Sequence, residues 1–231
     1  MEEQNINQQS VQLSEKVDSS EKRGVTKIDL KSHSIVMLMG PTNSGKTKFS
    51  DTVLTHAFGF FGSSYRFLSS DDFRRKLLQD YDADEYSYSM DEASEQAFKL
   101  LSAELEAYTS YPINCEFVVV DTRGFDARFR EYVSKVARDN QYNLVGILFD
   151  YKTFDEYSLG AEDTRSLEII RNDVSKFRRL VMPEVKSKDF SQLYRIRHKD
   201  DWEKTCCVTI NNSMEYSLVG PIPVKEGGKL S

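Results

Sequence analysis

A glycine-containing octapeptide after a short apolar run constrains the fold of this chain more than any other feature. Residues 35–39 read Ile-Val-Met-Leu-Met, and the residues that follow are Gly40, Pro41, Thr42, Asn43, Ser44, Gly45, Lys46 and Thr47. Glycines at the first and sixth positions let backbone N–H groups turn inward around phosphate oxygens, and the N-terminus of a following helix adds the positive end of its dipole. The pattern predicts a phosphate-binding loop (P-loop) between a strand and a helix.

The last two residues of the motif indicate which groups the loop is expected to bind. Lys46 is expected to reach the β- and γ-phosphates of ATP, and the Thr47 hydroxyl is expected to bind Mg²⁺. Asp121 closes the apolar run 117–120 and is a second candidate magnesium ligand, acting through water. A Gly/Ser surface turn would explain the glycines but needs neither Lys nor Thr at these offsets. An ordinary aspartate at a strand end remains the alternative for Asp121.

Hydrophobic periodicity alternates between strand and helix along most of the chain. Strands are predicted over 34–39, 65–69, 117–120, 144–149, 192–197 and 206–210. Helices are predicted over about 46–58, 71–79, 91–109, 126–139 and 164–180. Near-continuous apolar strands between helices are typical of a parallel sheet covered on both faces. The predicted fold class is an α/β P-loop NTPase, kinase-like, with a central, mostly parallel sheet flanked by helices.

The 231 residues suit one domain with flexible ends. The kinase-like domain is predicted over 25–211, with a lid over about 151–183. Residues 1–24 have the polar composition of a disordered tail, and 212–231 resemble a C-terminal tail. An acidic mobile loop is expected over 80–90.

The sequence gives little indication of a membrane-spanning segment, a secretory signal or a redox-active cysteine motif. No apolar stretch approaches the about 18 residues that cross a bilayer, and residues 1–24 lack the apolar centre of a secretory signal. No membrane association and a cytoplasmic location are therefore expected. Cys115, Cys206 and Cys207 show no C-x-x-C spacing, so reduced, non-catalytic thiols are expected.

Charge is distributed unevenly along the chain. The formal net charge of −6 argues against a protein that coats nucleic acid non-specifically. Residues 80–107 carry nine acids and one base, whereas 164–199 carry ten Lys and Arg and four acids, a local excess of +6. A phosphate-bearing ligand is expected at the second segment. A solvated helix face with i,i+4 ion pairs explains the same segment equally well.

A second group of chemically useful residues follows the strand over 65–69. It reads Ser70-Asp71-Asp72-Phe73-Arg74-Arg75. Ligands gather at the carboxyl ends of parallel strands, so Asp71 and the P-loop should face one crevice. Asp71 is predicted as the general base that accepts a hydroxyl proton, with Arg74 one helical turn later on the same face. The alternative is that Ser70 or Asp71 only caps the helix.

Four segments occur in order along about 27–210: IVMLMGPTNSGKTKF, LSSDDFR, VVVD and an apolar strand ending in FD. Together they resemble the 5′-hydroxyl kinase domain of bacterial polynucleotide kinase-phosphatase, which is related to the phage polynucleotide kinases. The resemblance implies ATP, Mg²⁺ and a broken RNA or DNA strand as acceptor. It also implies that Asp71 activates the 5′-hydroxyl and that Arg74 engages the acceptor.

The chain departs from that family at two places. The family's V-D-A-T-N after the third strand is Val-Asp-Thr-Arg-Gly over 120–124 here. The family's lid carries several arginines, whereas residues 150–163 hold Lys152 as their only base. Arg165 and Arg171 lie just beyond and are candidate replacements, with Arg165 taken as catalytic; as ordinary helix-surface arginines they would have no such role.

Three functions remain open at this point. The first is a polynucleotide 5′-hydroxyl kinase that relies on separate phosphatase and ligase proteins. The second is a small-molecule kinase of similar architecture, and the third is a degenerate ATP-binding subunit with a structural or regulatory role. No motif indicates whether the acceptor is RNA or DNA, which nucleobase the donor carries, or what the oligomeric state is. A homodimer is compatible with the sequence.

Overall fold

The computed structural model describes residues 26–79, 88–159, 164–185, 189–211 and 217–221. Outside these residues lie the expected tail over 1–24, most of the expected acidic loop over 80–90, and parts of the lid and of the C-terminal segment.

Strands and helices alternate along the described chain. The strands are β1 (Thr26–Lys31), β2 (Ser34–Met39), β3 (Tyr65–Ser69), β4 (Phe117–Thr122), β5 (Asn143–Phe149), β6 (Gln192–Ile196), β7 (Cys206–Asn211) and β8 (Ser217–Pro221). The helices are α1 (46–60), α2 (Ser70–Gln79), α3 (Met90–Thr109), α4 (Ala127–Asp139), α5 (Asp155–Ser158), α6 (164–184) and α7 (Asp200–Glu203). A π-helical turn interrupts α1 at Ser50–Leu54 and α6 at Phe177–Val181.

The central sheet has five strands in the order β3-β4-β2-β5-β6, and every neighbouring pair is parallel. In its register Leu38 of β2 pairs with Asp121 of β4 and with Ile147 of β5. All five carboxyl ends therefore lie at one edge of the sheet. The P-loop follows β2 at this edge and leads directly into α1. The prediction of a mostly parallel sheet with a strand, P-loop and helix unit is confirmed.

Both faces of the sheet are buried, as the continuous apolar strands require. Val36 and Leu38 of β2 pack into one core cluster with α1, β1 and β7, whereas Ile35, Met37 and Met39 pack into a second cluster with α3 and α4. Helix α6 contributes residues to both clusters. This position brings α6 close to the carboxyl edge of the sheet.

A second, smaller sheet was not expected from the sequence. It has the order β1-β7-β8, with β1 parallel and β8 antiparallel to β7. Side chains of β1 and β7 alternate, so that Ile28, Leu30, Val208 and Ile210 are buried. Part of the expected C-terminal tail is therefore a strand, since β8 lies within 212–231.

Several local expectations differ from the structure. Helical spacing predicts that Leu100 shares the buried face of α3, but its side chain is 43% exposed because the buried positions are 93, 97, 101 and 105. The sequence predicts that Pro183 closes the basic helix, whereas Pro183 lies inside the last turn of α6. A loop is predicted over 151–163, and the short helix α5 lies within it.

The state of the three cysteines and the hydropathy of the helices bear on the redox and membrane predictions. Cys115, Cys206 and Cys207 are not disulfide-bonded, and burial raises the pKa of Cys206 to about 12. Within the described ranges, no helix combines the length and the apolar character that a bilayer span requires.

Candidate functional site

The two glycines of the P-loop are required by close packing beneath it. Gly45 has a φ of +81°, and a Cβ there would lie 2.8 Å from Cζ2 of Trp202. A Cβ on Gly40 would lie 2.8 Å from both Phe149 Cβ and Ser44 Oγ. Any side chain at either position would push the loop off the core, so the glycines of the motif fit the loop to its support as well as to a phosphate.

Two aromatic side chains form that support. Trp202 of α7 is fully buried, and its Nε1–H donates to the Tyr151 hydroxyl oxygen at 2.8 Å. The Tyr151 hydroxyl donates in turn to the carbonyl oxygen of Ser44 at 2.6 Å. We call Trp202 and Tyr151 the P-loop floor. Through it the loop is held by the segments that follow β5 and β6.

The Lys46 side chain curls into its own loop. Its Nζ donates to the carbonyl oxygens of Gly40 at 3.0 Å and Pro41 at 3.1 Å. Burial lowers the pKa of Lys46, while the negative charges of Asp121, Asp71 and Asp173 oppose that shift. A desolvated ammonium group surrounded by backbone carbonyls and carboxylates is well placed to bind phosphate oxygens.

Thr47 and Asp121 come together as predicted for a magnesium site. The Thr47 hydroxyl donates to Asp121 Oδ2 at 2.9 Å. Burial raises the pKa of Asp121, and the nearby Lys46 charge and the Thr47 hydrogen bond partly offset this. No group of three or more His, Cys, Asp or Glu side chains in the described chain is arranged as a metal site. The donor set fits Mg²⁺, which usually takes one or two carboxylates and completes its shell with water and substrate phosphates.

Asp71 and Arg74 lie at the neighbouring strand end. Asp71 Oδ1 and Arg74 Nη2 are 2.5 Å apart, and the Asp71 side chain is 59% exposed. Helix α2 begins at Ser70, and the hydroxyl oxygen of Ser69 accepts the N–H of Asp72 at 3.3 Å. The alternative that Ser70 or Asp71 caps this helix is therefore wrong, because Ser69 makes that contact.

Asp72 and Arg75, the neighbours of this pair in sequence, are predicted to face solvent, and the structure confirms this. Their side chains pair at 3.0 Å and are 51% and 63% exposed. Asp71 and Asp72 both raise the pKa of Asp121, but only the charge of Asp71 is among the causes that oppose the lowering of the Lys46 pKa.

A cleft of about 220 Å³ opens between the ends of β3 and β4, and we call it the β3–β4 cleft. Ser70, Asp71 and Arg74 line one wall. Its remaining lining comes from α3 and from the segment after Asp121: Phe98, Thr122, Arg123, Gly124, Phe125, Asp126 and Phe129. Two carboxylates, two guanidinium groups and three aromatic rings thus line a single space beside the P-loop.

Two residues that the sequence reasoning did not assign to the site join the P-loop to α6. Asp173 of α6 is buried and accepts hydrogen bonds from the Thr42 hydroxyl and, at 3.4 Å, from the Thr42 N–H. Arg123 Nη1 lies 3.5 Å from Asp173 Oδ2. A sequence signal existed, because Asp173 falls on the same helix face as the buried Ile170 and Phe177.

Of the two candidate lid arginines, Arg165 and Arg171, the structure describes the side chain of Arg171. The side chain of Arg165 lies outside the described residues, so its catalytic role stays a prediction. Arg171 has its guanidinium 5.3 Å from the centre of the Phe154 ring and is exposed. Asn43 of the P-loop donates to the carbonyl oxygens of Tyr157 and, at 3.0 Å, Leu159, so the segment after β5 contacts the loop through backbone groups.

The basic segment 164–199 is partly neutralised by contacts inside the fold. Asp150 is buried at the end of β5 and accepts from Arg178 Nε at 3.0 Å and Arg195 Nε at 3.0 Å. Arg178 also donates to the carbonyl oxygen of Tyr151. Arg178 and Arg195 are thus both paired with the carboxylate at the end of β5. Because this pairing offsets part of their charge, segment 164–199 offers an external ligand less positive charge than its number of Lys and Arg residues suggests.

No protein-family model matches this chain, and no curated protein matches its sequence. Solved structures share part of its fold. The Mycobacterium tuberculosis APS kinase CysC in complex with AMPPNP and APS is 16% identical over 74% of this chain and 92% of that chain, with a TM-score of 0.45. Chaetomium thermophilum Kti12 in complex with ADP-AlF3 is 14% identical over 72% and 90%, with a TM-score of 0.48. A gluconokinase from Sinorhizobium meliloti 1021 is 13% identical over 73% and 85%, with a TM-score of 0.44. Values this low assign neither a substrate nor a residue role to this chain.

Proposed function

We propose that this chain is an ATP-dependent kinase that transfers the γ-phosphate to the 5′-hydroxyl end of RNA or DNA. The observation that carries the proposal is that Asp71 and Arg74 line a cleft beside the P-loop, with the Asp71 charge acting on Lys46 and Asp121. A protein that only bound nucleotide would need neither a carboxylate nor a guanidinium group beside its phosphate loop. Phosphoryl transfer to a hydroxyl is accelerated by a carboxylate that accepts the proton and by cations that stabilise the developing charge.

The donor half of the site consists of the P-loop, Lys46, Thr47 and Asp121. Lys46 binds the β- and γ-phosphates of ATP, and Thr47 and Asp121 hold Mg²⁺. When bound there, Mg²⁺ supplies charge neutralisation at the phosphate oxygens. The hydrogen bond from the Thr47 hydroxyl to Asp121 Oδ2 at 2.9 Å supports this assignment because it holds the two candidate ligands next to each other.

The acceptor half of the site is the β3–β4 cleft. Two of its phenylalanine rings, Phe98 and Phe125, are partly exposed and offer surfaces on which a nucleobase stacks without sequence preference. Arg74 binds the phosphate that follows the terminal nucleoside, since guanidinium groups match phosphate geometry. Asp71 then faces the terminal 5′-hydroxyl.

The proposed step is an in-line displacement at the γ-phosphorus. A bond forms from the 5′-oxygen to the γ-phosphorus as the bond from that phosphorus to the β–γ bridging oxygen breaks. The hydroxyl proton passes to the Asp71 carboxylate, and ADP leaves. Lys46 stabilises the negative charge on the transferring group and on the departing oxygen.

Transfer of labelled γ-phosphate from ATP to a 5′-hydroxyl oligonucleotide tests the proposal. We expect labelling of 5′-hydroxyl RNA or DNA and none of the same strand carrying a 5′-phosphate. Mg-ATP binding without turnover would contradict the proposal and favour the degenerate ATP-binding subunit.

A small-molecule kinase is a second candidate because the β3–β4 cleft is small and its charges balance. Asp71 and Asp126 face Arg74 and Arg123, and the volume of about 220 Å³ suits a single small acceptor. ATP consumption that depends on a hydroxylated metabolite, with no labelling of oligonucleotides, would establish this alternative over the first.

Replacing Lys46 with alanine should lower turnover by about 10²–10³, the effect of removing a single charge-stabilising donor. The melting temperature without ligand should change little, because burial already disfavours the charged form of Lys46. The matched control is Lys48→Ala, which removes a lysine that is 62% exposed and paired with Glu203. Equal turnover of Lys46→Ala and the wild type would remove the P-loop lysine from the mechanism.

The exposed cations of α6 should contribute weakly to oligonucleotide binding. Lys176→Glu with Arg179→Glu changes two exposed side chains and leaves the Arg178 contact with Asp150 in place. Binding at low salt should weaken, and the slope of log affinity against log salt should become shallower by about 0.7 for each lost contact to a single strand. The control is Lys99→Glu with Lys135→Glu, two exposed lysines outside 164–199. If both pairs have the same effect, the α6 face is not the binding surface.

A further inference from the structure

Phosphoryl transfer spreads negative charge over the equatorial oxygens of the moving group, and a cation on that group is worth about 10³–10⁵ in rate. In this chain the segment after β5 holds only Lys152 as a base between residues 150 and 163. The loop after β4, in contrast, places Arg123 beside the P-loop and on the wall of the β3–β4 cleft. Arg123 thus carries a positive charge next to the P-loop and the β3–β4 cleft, and the steps described so far give it no role.

Arg123 lies between the donor and acceptor halves of the site. Its guanidinium carbon is 5.2 Å from the centre of the Phe125 ring, and Nη1 is 3.5 Å from Asp173 Oδ2. Its side chain is 45% exposed, so it is free to turn toward a ligand. Its positive charge also contributes to the lowered pKa of Lys46, so the two cations are close enough to interact.

The turn that presents Arg123 is closely fixed. Gly124 has a φ of +77°, and a Cβ there would lie 2.8 Å from Met39 Cγ. Its N–H donates to the Thr122 hydroxyl oxygen at 3.1 Å, and its carbonyl oxygen accepts from Arg130. The backbone of Arg123 is thus held at the end of β4, immediately after Asp121.

We propose that Arg123 is a catalytic residue that binds the γ-phosphoryl group during transfer and that Asp173 is its positioning residue. The inference rests on the proposed kinase function and does not depend on which hydroxyl is the acceptor. Asp173 holds the guanidinium group of Arg123 and, through Thr42, the P-loop itself. The moving phosphoryl group offers the same guanidinium a second and more highly charged oxygen partner, so Arg123 exchanges Asp173 for it.

The test compares the binding of Mg-ADP with the binding of Mg-ADP plus aluminium fluoride, which mimics the moving phosphoryl group and needs no acceptor. In the wild type, aluminium fluoride should tighten Mg-ADP binding, as measured by calorimetry. In Arg123→Ala the Mg-ADP affinity should stay within about threefold, and the gain from aluminium fluoride should fall at least about a hundredfold. Arg123→Lys should recover part of the gain, because it restores a charge without the planar fork.

Arg128→Ala is the matched control, since Arg128 is an exposed arginine on the adjoining helix α4. It should keep the wild-type gain. Asp173→Asn should weaken Mg-ADP affinity and reduce the gain by a smaller factor than Arg123→Ala, as expected of a residue that acts through Arg123 and Thr42.

Two results would overturn the proposal: a full gain from aluminium fluoride in Arg123→Ala, or no gain in the wild type. Oligonucleotide labelling distinguishes a wrong acceptor assignment from a wrong role for Arg123. If the wild type shows the gain and Arg123→Ala loses it, but no oligonucleotide is labelled, Arg123 retains its role and the acceptor is a different hydroxyl.

Discussion

Asp71→Asn should give a folded protein that binds Mg-ATP normally and transfers phosphate to a 5′-hydroxyl at least about a hundred times more slowly than the wild type. Asparagine keeps the shape of the side chain but cannot accept the hydroxyl proton, and general-base catalysis is worth about 10²–10⁴ in rate. The decrease should appear in kcat, measured by transfer of labelled γ-phosphate at saturating Mg-ATP.

The fold should tolerate this change because the Asp71 side chain contributes little to the stability of the folded protein. Its side chain is 59% exposed, and its ion pair with Arg74 is an i,i+3 surface contact worth at most about 1 kcal/mol. The α2 N-terminus keeps its cap, since the Ser69 hydroxyl oxygen makes that contact. A loss of rate in Asp71→Asn is therefore not a consequence of unfolding.

Asp72→Asn is the matched control for Asp71→Asn. Asp72 is the next residue, is 51% exposed and pairs with Arg75 in the same geometry. Its replacement should leave the rate within about twofold of the wild type, in line with the small effects of exposed surface substitutions. Wild-type rates in Asp71→Asn, or equal losses in both variants, would contradict the general-base assignment.

The placement of the P-loop and of Asp121 at one sheet edge could be predicted from the sequence because the patterns that indicate it are local. Residues 40–47 are contiguous, and their glycines, lysine and threonine stand at fixed offsets. Asp121 could be added because an apolar run of four residues precedes it, and the carboxyl ends of parallel strands share one sheet edge. The fold class followed from the same apolar runs.

The contacts that complete the site could not be predicted, because they join distant parts of the chain. Thr42 and Asp173 are 131 residues apart, and the hydroxyl of Tyr151 reaches Ser44 across 107 residues. Neither pair leaves a local pattern. The sequence at Arg123 departs from that of the polynucleotide kinases which the chain resembles, but only the fold brings Arg123 to Asp173.

Boundary errors have a separate cause. The cap of α2 falls on Ser69 and not on Ser70 or Asp71, since several polar residues in a row offer equivalent caps and only the backbone selects one. Strand β1 was missed because its six residues alternate too briefly to outweigh the polar segment before them. Tertiary pairing with β7 decides its conformation.

Trp202→Ala should lower the free energy of unfolding by about 3–5 kcal/mol, the usual cost of truncating a large aromatic side chain in a core. Trp202 is fully buried and packs edge to face with Phe49 and Phe149, at ring-centre distances of 5.7 and 6.5 Å. Chemical denaturation of the protein without nucleotide measures the change. Mg-ATP affinity should fall as well, because Gly45 rests directly against the indole ring.

Two milder variants separate packing from hydrogen bonding in the P-loop floor. Trp202→Phe keeps an aromatic ring but removes the Nε1–H that donates to Tyr151, and Tyr151→Phe removes the hydroxyl that links Trp202 to Ser44. Each loses a buried hydrogen bond and should cost about 1–3 kcal/mol, less than Trp202→Ala. If Tyr151→Phe stays folded but binds Mg-ATP at least about tenfold more weakly, the hydroxyl positions the loop. If both milder variants bind Mg-ATP like the wild type, the floor supports the fold alone, and the P-loop keeps its shape through Gly40, Gly45 and the helix that follows them.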